Sequence, residues 1–121
     1  MAKNMEIALL FDFYGEALTA KQQNMVELYY NNDLSLAEIA ENEGITRQGV
    51  RDAVKRAEAQ LLEMEDQLHL VQRFKDMRAG LEQIARDARD IAAVNDRIGY
   101  SRDIAECSGR ILQLAQKLAE L

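Results

Sequence analysis

The chain contains no proline and no tryptophan, and it has only one cysteine and one histidine among its 121 residues. Proline is the strongest helix breaker, so its absence, together with abundant Ala, Leu, Glu, Gln and Arg, predicts an all-α protein. The single cysteine, Cys107, cannot form an internal disulfide, which fits a reducing compartment. With a single histidine, His69, we expect neither a metal site built from several histidines nor a catalytic Ser-His pair.

Long hydrophobic runs are also missing. The longest, Ile7 to Phe11, is far too short to span a bilayer, so we expect no membrane insertion. The first residues lack a basic segment followed by a long apolar stretch, and a signal peptide is therefore not expected. These features predict a cytoplasmic protein.

The charge balance is acidic, with a formal net charge of −6, whereas hydrophobic residues make up 48% of the chain. That apolar content is enough to fill a core and argues against disorder. DNA-binding domains are usually basic, because neutralising phosphates supplies most of their non-specific affinity. The distribution of charge along the chain is therefore more informative about DNA binding than the net charge is.

Capping sequences predict where the early helices begin. Thr-Ala-Lys-Gln at 19–22 and Ser-Leu-Ala-Glu at 35–38 are both capping boxes, in which the two side chains satisfy each other's free backbone donors. The turn 31–33 is expected to end the second helix. Gly44 is expected to end the third, and Thr46 to cap a fourth.

A first helix is predicted before these boxes. Met5, Leu9 and either Asp12 or Phe13 recur at helical spacing, and Ile7, Leu10 and Phe11 complete one broad apolar face. Gly15 follows Tyr14 where a left-handed residue would end the helix.

The second half of the chain carries longer apolar patterns. Residues spaced alternately by four and three predict one long amphipathic helix that includes His69. The pattern leaves open whether Gly80 separates two helices or lies inside one. Gly99 and Ser101 predict a tight helix–helix connection. We therefore predict a helix-turn-helix domain over 1–79 and a C-terminal helical hairpin over 80–121. The residues of the long pattern are Val50, Val54, Ala57, Leu61, Met64, Leu68 and Val71.

Residues 36–55, LAEIAENEGITRQGVRDAVK, carry the most specific motif. A helix-turn-helix needs a small residue where its helices approach each other, and Ala40 supplies it. Its turn needs a residue that tolerates a left-handed conformation, and Gly44 supplies that. Apolar residues must close the wedge between the helices, and Ile39, Ile45 and Val50, with Ala53 or Val54, lie at suitable positions. Any helical hairpin with a glycine turn is the alternative.

The predicted second helix of this motif has a polar, basic outward face. Residues 46–56 carry four positive charges and one negative charge, a net +3. In a docked helix-turn-helix, Arg47 would pair with guanine and Gln48 with adenine, while Arg51, Lys55 and Arg56 suit phosphates. Asp52 either accepts from cytosine or repels a phosphate. The alternative is an ordinary solvated face in which Asp52 pairs with Arg56.

The segment LSLAEIAENEGITRQGVRDAVKRAEAQL resembles region 4 of bacterial sigma factors. The stretch from about residue 4 to Met77, including LLFDFYGEALTAKQQNMVELYYNNDLSLAEIAENEG, more closely resembles the YlxM family. Those small bacterial proteins have a sigma-region-4-like fold and are typically encoded beside the signal recognition particle genes. The resemblance implies a sigma-region-4-like helix-turn-helix bundle with a long recognition helix. It also implies a DNA-binding or regulatory protein of the signal recognition particle pathway.

No catalytic constellation is visible, so we expect no enzyme activity and no cofactor or metal. Cys107 falls on the apolar seam of the last helix, which predicts a buried, inert thiol. Two hypotheses about function remain. One is a nucleic-acid-binding module, with DNA favoured over RNA. The other is an acidic adaptor whose partner is a basic component of the signal recognition particle.

The apolar seams from Leu68 to Leu121 exceed the needs of a single helix-turn-helix module, which predicts a homodimer. Asn95 falls at a core position of the seam, where one polar residue often determines register and strand number. The alternative is internal, with the two last helices folding back on each other to complete the chain's own core. Both arrangements can coexist in a four-helix interface.

Overall fold

The computed structural model describes residues 3–121, which form helices and turns and contain no strand. This confirms the all-α prediction. The chain divides into two compact units, an N-terminal unit that ends at Val71 and a C-terminal unit over 72–121. The helices are α1 (Met5–Tyr14), α2 (Ala20–Val26), α3 (Leu36–Glu43), α4 (Arg47–Leu68), α5 (Leu70–Arg97) and α6 (Arg102–Ala119). A 3₁₀ turn, Gly15–Ala17, follows α1, and a π-helical turn, Glu27–Asn31, extends α2.

The helices begin where the caps predict. The Thr19 hydroxyl accepts from the backbone N–H of Gln22 at 3.2 Å, and the Gln22 amide oxygen accepts from the Thr19 N–H at 3.0 Å. Ser35 and Glu38 form the same reciprocal pair at 3.1 and 3.2 Å. Both capping boxes are confirmed, because each satisfies donors that the helix start leaves free.

The predicted broad face of α1 is confirmed only in part, since Ile7 and Leu10 of that face are buried but its two ends are exposed. Met5 is 77% exposed and Phe13 is 37% exposed, whereas Ile7, Leu10 and Tyr14 are buried. The helix does end at Tyr14, but Gly15 is right-handed with φ −55° and begins the 3₁₀ turn. A Cβ on Gly15 would lie 2.9 Å from the Phe11 ring, so the glycine serves close packing and not a left-handed turn.

The core of the N-terminal unit lies along α4. Val50 and Val54 pack with α2 and α3, and Ala57 and Leu61 pack with α1. All four are fully buried, which fits a helix whose spacing presents one apolar face to three neighbours. Helix α4 therefore organises this unit.

The predicted continuous helix through His69 is wrong. His69 is exposed and left-handed with φ 56°, and it separates α4 from α5. The Tyr14 hydroxyl donates to Glu65 Oε1 at 2.5 Å and accepts from the backbone N–H of Leu70 at 3.1 Å. The same Glu65 oxygen accepts from the N–H of Val71 at 3.1 Å. Tertiary contacts thus satisfy the donors that open α5. Burial and then the hydrogen bond to Glu65 raise the pKa of Tyr14.

The C-terminal unit is a hairpin of α5 and α6. Gly80 lies inside α5, so the predicted boundary near residue 80 falls within a helix and the units separate earlier, after Val71. Apart from Asn95, the buried side chains of the hairpin are alanine and serine: Ala85, Ala88, Ser108 and Ala115. Cys107 is exposed, so the prediction of a buried thiol is wrong.

Asn95 has a different role from the predicted one. Its side chain is buried and makes two hydrogen bonds to Ser101, from Nδ2 to the carbonyl at 2.8 Å and from the Ser101 N–H to Oδ1 at 2.9 Å. Gly99 is left-handed with φ 106°, and Ser101 caps α6, as the connection predicted. Asn95 therefore holds the turn of its own hairpin.

Among residues 3–121, no helix combines the length and the apolarity that crossing a membrane requires.

Candidate nucleic-acid interface

Helices α3 and α4 are joined by a very short turn. Gly44 ends α3 in the left-handed conformation with φ 67°, and the N–H of Ile45 donates to the carbonyl of Ala40 at 3.2 Å. The Thr46 hydroxyl then accepts from the N–H of Gly49 at 2.9 Å and caps α4. The buried side chain of Ile39 packs in one cluster with those of Val50 and Val54. This geometry is a helix-turn-helix, as predicted.

The outer face of α4 carries the predicted polar residues. Because a helix turns once every 3.6 residues, Arg47, Arg51 and Lys55 form one row, and Gln48 and Asp52 form the adjacent row. We call these side chains, together with Arg56, the basic stripe; all six are exposed. The structure therefore brings every predicted site residue onto the first three turns of one helix.

The cations of the basic stripe are unpaired within the described chain. Neither Arg47, Arg51, Lys55 nor Arg56 forms an ion pair with any of residues 3–121. The alternative in which Asp52 pairs with Arg56 is therefore not observed. Gln48 Nε2 donates instead to Asp52 Oδ1 at 2.9 Å, which orients the amide along the helix face.

Two surface grooves meet at Arg47. One, of about 390 Å³, is lined by Leu36, Arg47, Gln48 and Arg51. The other, of about 380 Å³, is lined by Leu36 and Arg47 together with residues around the start of α3. The shared residues make one depression that runs from the capping box of α3 to the first turns of α4. The remaining residues of the second groove are Lys3, Tyr29, Asp33, Ser35, Ala37 and Glu38.

Lys3 is a groove residue that the sequence did not predict. Its Nζ donates to Asp33 Oδ1 at 2.7 Å and to the carbonyl of Leu34 at 3.2 Å, and it lies 4.5 Å from the centroid of the Tyr29 ring. The hydrogen bond from Lys3, with its charge, lowers the pKa of Asp33. No spacing pattern links Lys3 to the motif, because only the packing of the chain brings it to the groove.

The surroundings of the basic stripe are acidic. The unit that ends at Val71 has six Lys and Arg against thirteen Asp and Glu, a formal charge of −7. The C-terminal unit has nine against eight, a formal charge of +1. Helix α3 contributes Glu38, Glu41 and Glu43, all exposed. The helix-turn-helix therefore presents a local positive stripe within a negative field.

The described residues offer no evident metal centre. Within residues 3–121, no group of three or more His, Cys, Asp or Glu side chains is arranged to hold a metal ion. His69 and Cys107 are both exposed and lie in different units.

Comparison with known proteins agrees with this geometry. The family model described as "Putative helix-turn-helix protein, YlxM / p13 like" matches residues 1–100. A UPF0122 protein of Acetivibrio thermocellus is 47% identical over 116 residues, which cover 96% of this chain and 99% of the relative. A UPF0122 protein of Bacillus thuringiensis is 43% identical over 118 residues, 98% of each chain. One of Clostridium novyi is 33% identical over 113 residues, 93% of this chain and 98% of the relative. The chain therefore belongs to the UPF0122 family of YlxM-like helix-turn-helix proteins.

Proposed function

We propose that this protein binds duplex DNA through the basic stripe and acts as a regulatory protein in the cytoplasm. The observation that carries the proposal is the set of exposed, unpaired cations on the second helix of a helix-turn-helix. That is the element that enters the major groove in proteins with this motif. The proposal includes no catalytic activity.

The residues of the stripe divide by their position on α4. Arg47 and Gln48 lie in its first turn, where side chains meet base edges, so Arg47 suits guanine and Gln48 suits adenine. Arg51, Lys55 and Arg56 suit phosphate oxygens. The bond from Gln48 to Asp52 leaves the second amide hydrogen and the amide oxygen of Gln48 for a base.

The acidic field makes the binding weak and sensitive to salt. Each neutralised phosphate releases counterions, so affinity falls steeply as the salt concentration rises. In proteins with this motif the first helix crosses the DNA backbone, and here that helix is α3. The glutamates of α3 would therefore repel the phosphates. Binding is therefore expected at low salt and is expected to fade toward physiological salt.

Gel-shift titrations from low to physiological salt test the proposal. Arg47→Ala and Arg51→Ala are each expected to weaken binding about 5- to 100-fold, as expected for the loss of a charged base or phosphate contact. Lys21→Ala is the matched control, because it removes one exposed cation from the same unit outside the basic stripe. Absence of binding at low salt, or equal losses in all three variants, would refute the DNA proposal.

Glu38→Gln tests the opposing field in the other direction. Glutamine can still accept from the Ser35 N–H, so the capping box is kept while one negative charge leaves the groove. Binding is expected to strengthen by roughly two- to fivefold at low salt, consistent with one charge near the phosphates. Unchanged or weakened binding would show that DNA does not approach α3.

A second candidate function rests on the concentration of negative charge. Because the N-terminal unit carries a formal charge of −7, we also propose that it attracts a basic protein component of the signal recognition particle. The family resemblance suggests that pathway. Calorimetry against the purified protein subunit of the particle, with and without its RNA, is the test. Heat with the subunit alone supports the adaptor, and silence in both titrations refutes it.

A further inference from the structure

One side of the C-terminal hairpin carries large apolar side chains that nothing in the described chain covers. Their exposures range from 40% to 76%. Residues on α5 recur with seven-residue spacing, and those on α6 follow alternating steps of seven, three and four, which places each set on one side of its helix. We call this surface the hairpin face. Its residues are Ile84, Ile91, Val94, Ile98, Ile104, Ile111, Leu114 and Leu118.

The two apolar rows lie on the same side of the hairpin. A groove of about 310 Å³ is lined by Ile91 of α5 together with Ile104 and Ile111 of α6. A neighbouring groove of about 270 Å³ joins Ile91, Val94 and Ile98 to Ile104. The hairpin face is therefore continuous across both helices, with indentations between them.

The hairpin itself uses small side chains for its internal contact. Ala85, Ala88, Ser108 and Ala115 are buried, so the two helices meet through alanine and serine. Leu81 and Leu112 are half-buried, whereas the large residues of the hairpin face are left out of that contact. A two-helix layer with a small-residue interior and a large apolar side matches one half of a four-helix bundle.

We propose that the hairpin face binds a second copy of this chain, forming a four-helix bundle. In this dimer α5 of one protomer lies beside α6 of its partner, and both hairpin turns are at the same end of the bundle. The near-neutral charge of the C-terminal unit, +1, imposes no net repulsion between two copies. A strongly charged partner protein would find no complementary net charge there.

The outer edges of the hairpin favour this arrangement. Helical spacing places Asp90 and Arg97 along the outer edge of α5, and Asp103 and Arg110 along that of α6. All are exposed. In the proposed dimer the α5 edge of one protomer runs along the α6 edge of its partner.

The levels of these charges match. Ile91 lies beside Ile111, so the residues that precede them in the sequence, Asp90 and Arg110, lie at similar heights. Arg97 and Asp103 both lie next to the turn. Opposite charges would thus meet twice on each side of the dimer. If the turns pointed in opposite directions, the α5 edge would instead run along the α5 edge of the partner, and these two pairs would not form.

The oligomeric state tests the hairpin face. Light scattering coupled to size-exclusion chromatography is expected to show a dimer of the full chain at tens of micromolar. Ile91→Glu and Ile111→Glu are each expected to give a monomer with unchanged helical content by circular dichroism. Gln113→Glu, an exposed position on α6 off the face, is the control and should remain dimeric. A monomeric wild type, or dimeric Glu variants, would overturn the proposal.

A charge exchange tests the arrangement. Asp90→Arg and Arg110→Asp alone are each expected to weaken dimerisation roughly three- to tenfold, and the double variant is expected to recover most of the loss. No loss in the single variants, or no recovery in the double variant, would overturn the proposed pairing of edges.

The position of the turns provides an independent measurement. Tyr100→Cys in a Cys107→Ser background allows one spin label at each turn, at an exposed site off the hairpin face. Label distances well below the length of α5, about 42 Å for its 28 residues, are expected. Distances near that length would place the turns at opposite ends and overturn the arrangement. If the N-terminal unit formed the dimer interface, the substitutions on the hairpin would not change dimerisation.

Discussion

The two units of the molecule bury opposite kinds of side chain. The N-terminal unit buries large residues such as Ile39, Leu61 and Tyr29, whereas the C-terminal unit buries alanines and leaves its isoleucines in contact with solvent. Burial of large apolar groups is the main source of folding free energy. The N-terminal unit therefore has a core of its own, while the C-terminal hairpin leaves its largest apolar side chains exposed.

Charge separates the two units in the same way. The N-terminal unit has a formal charge of −7 and the C-terminal unit +1. Long-range steering by charge thus acts through the helix-turn-helix unit, whereas contact with the hairpin depends on shape and apolar area. The acidic composition of the whole chain therefore describes only one of its units.

The largest expected effect concerns the core of the N-terminal unit. Leu61→Ala is expected to lower the free energy of unfolding by about 2–5 kcal/mol, because it removes a fully buried side chain and leaves a cavity. Leu62→Ala is the matched control on the same helix, since Leu62 is 47% exposed. Denaturant unfolding of the two variants measures the difference. Equal losses would mean that the N-terminal unit lacks the core described above.

Asn95→Ala should act on the other unit. It removes both hydrogen bonds to the backbone of Ser101 and is expected to destabilise the hairpin by about 1–3 kcal/mol. Amide hydrogen exchange, measured residue by residue, should accelerate within 72–121 and remain unchanged in the core of the N-terminal unit. Asp96→Ala, an exposed neighbour, is the control. Acceleration throughout the chain would show that the two units unfold as one.

The smallest effect is expected at the joint between α4 and α5. Tyr14→Phe keeps the ring but leaves the Leu70 N–H without its acceptor, at an expected cost of about 0.5–1.5 kcal/mol. Tyr100→Phe, at an exposed tyrosine, is the control and should cost little.

The same joint predicts a pH dependence. The folded protein raises the pKa of Tyr14 above its ordinary value of 10.0, so the folded state favours the neutral hydroxyl. This contribution to stability is fully present below pH 10 and is lost as the pH rises through the raised pKa. Chemical unfolding measured from neutral to strongly alkaline pH should show a smaller decline for Tyr14→Phe than for the wild type. Parallel declines would contradict the described environment of Tyr14.

The starts of the early helices and the helix-turn-helix motif could be predicted from local sequence. The caps at Thr19, Ser35 and Thr46, and the left-handed turn at Gly44, depend on hydrogen bonds and dihedral angles within a few residues. Such local interactions are visible in a short stretch of sequence. The same is true of the basic stripe, because helical spacing alone places its residues on one side of α4.

The tertiary structure decided which apolar face each helix buries and where the long helix breaks. Periodicity gave α1 one broad apolar face, and packing against α4 buried Ile7 and Leu10 of that face while it left Met5 and Phe13 exposed. The break at His69 is held by Tyr14, which lies far away in the sequence. Tertiary packing also places Lys3 in the groove and leaves Cys107 exposed. Packing between distant segments chooses among faces that local periodicity leaves equivalent.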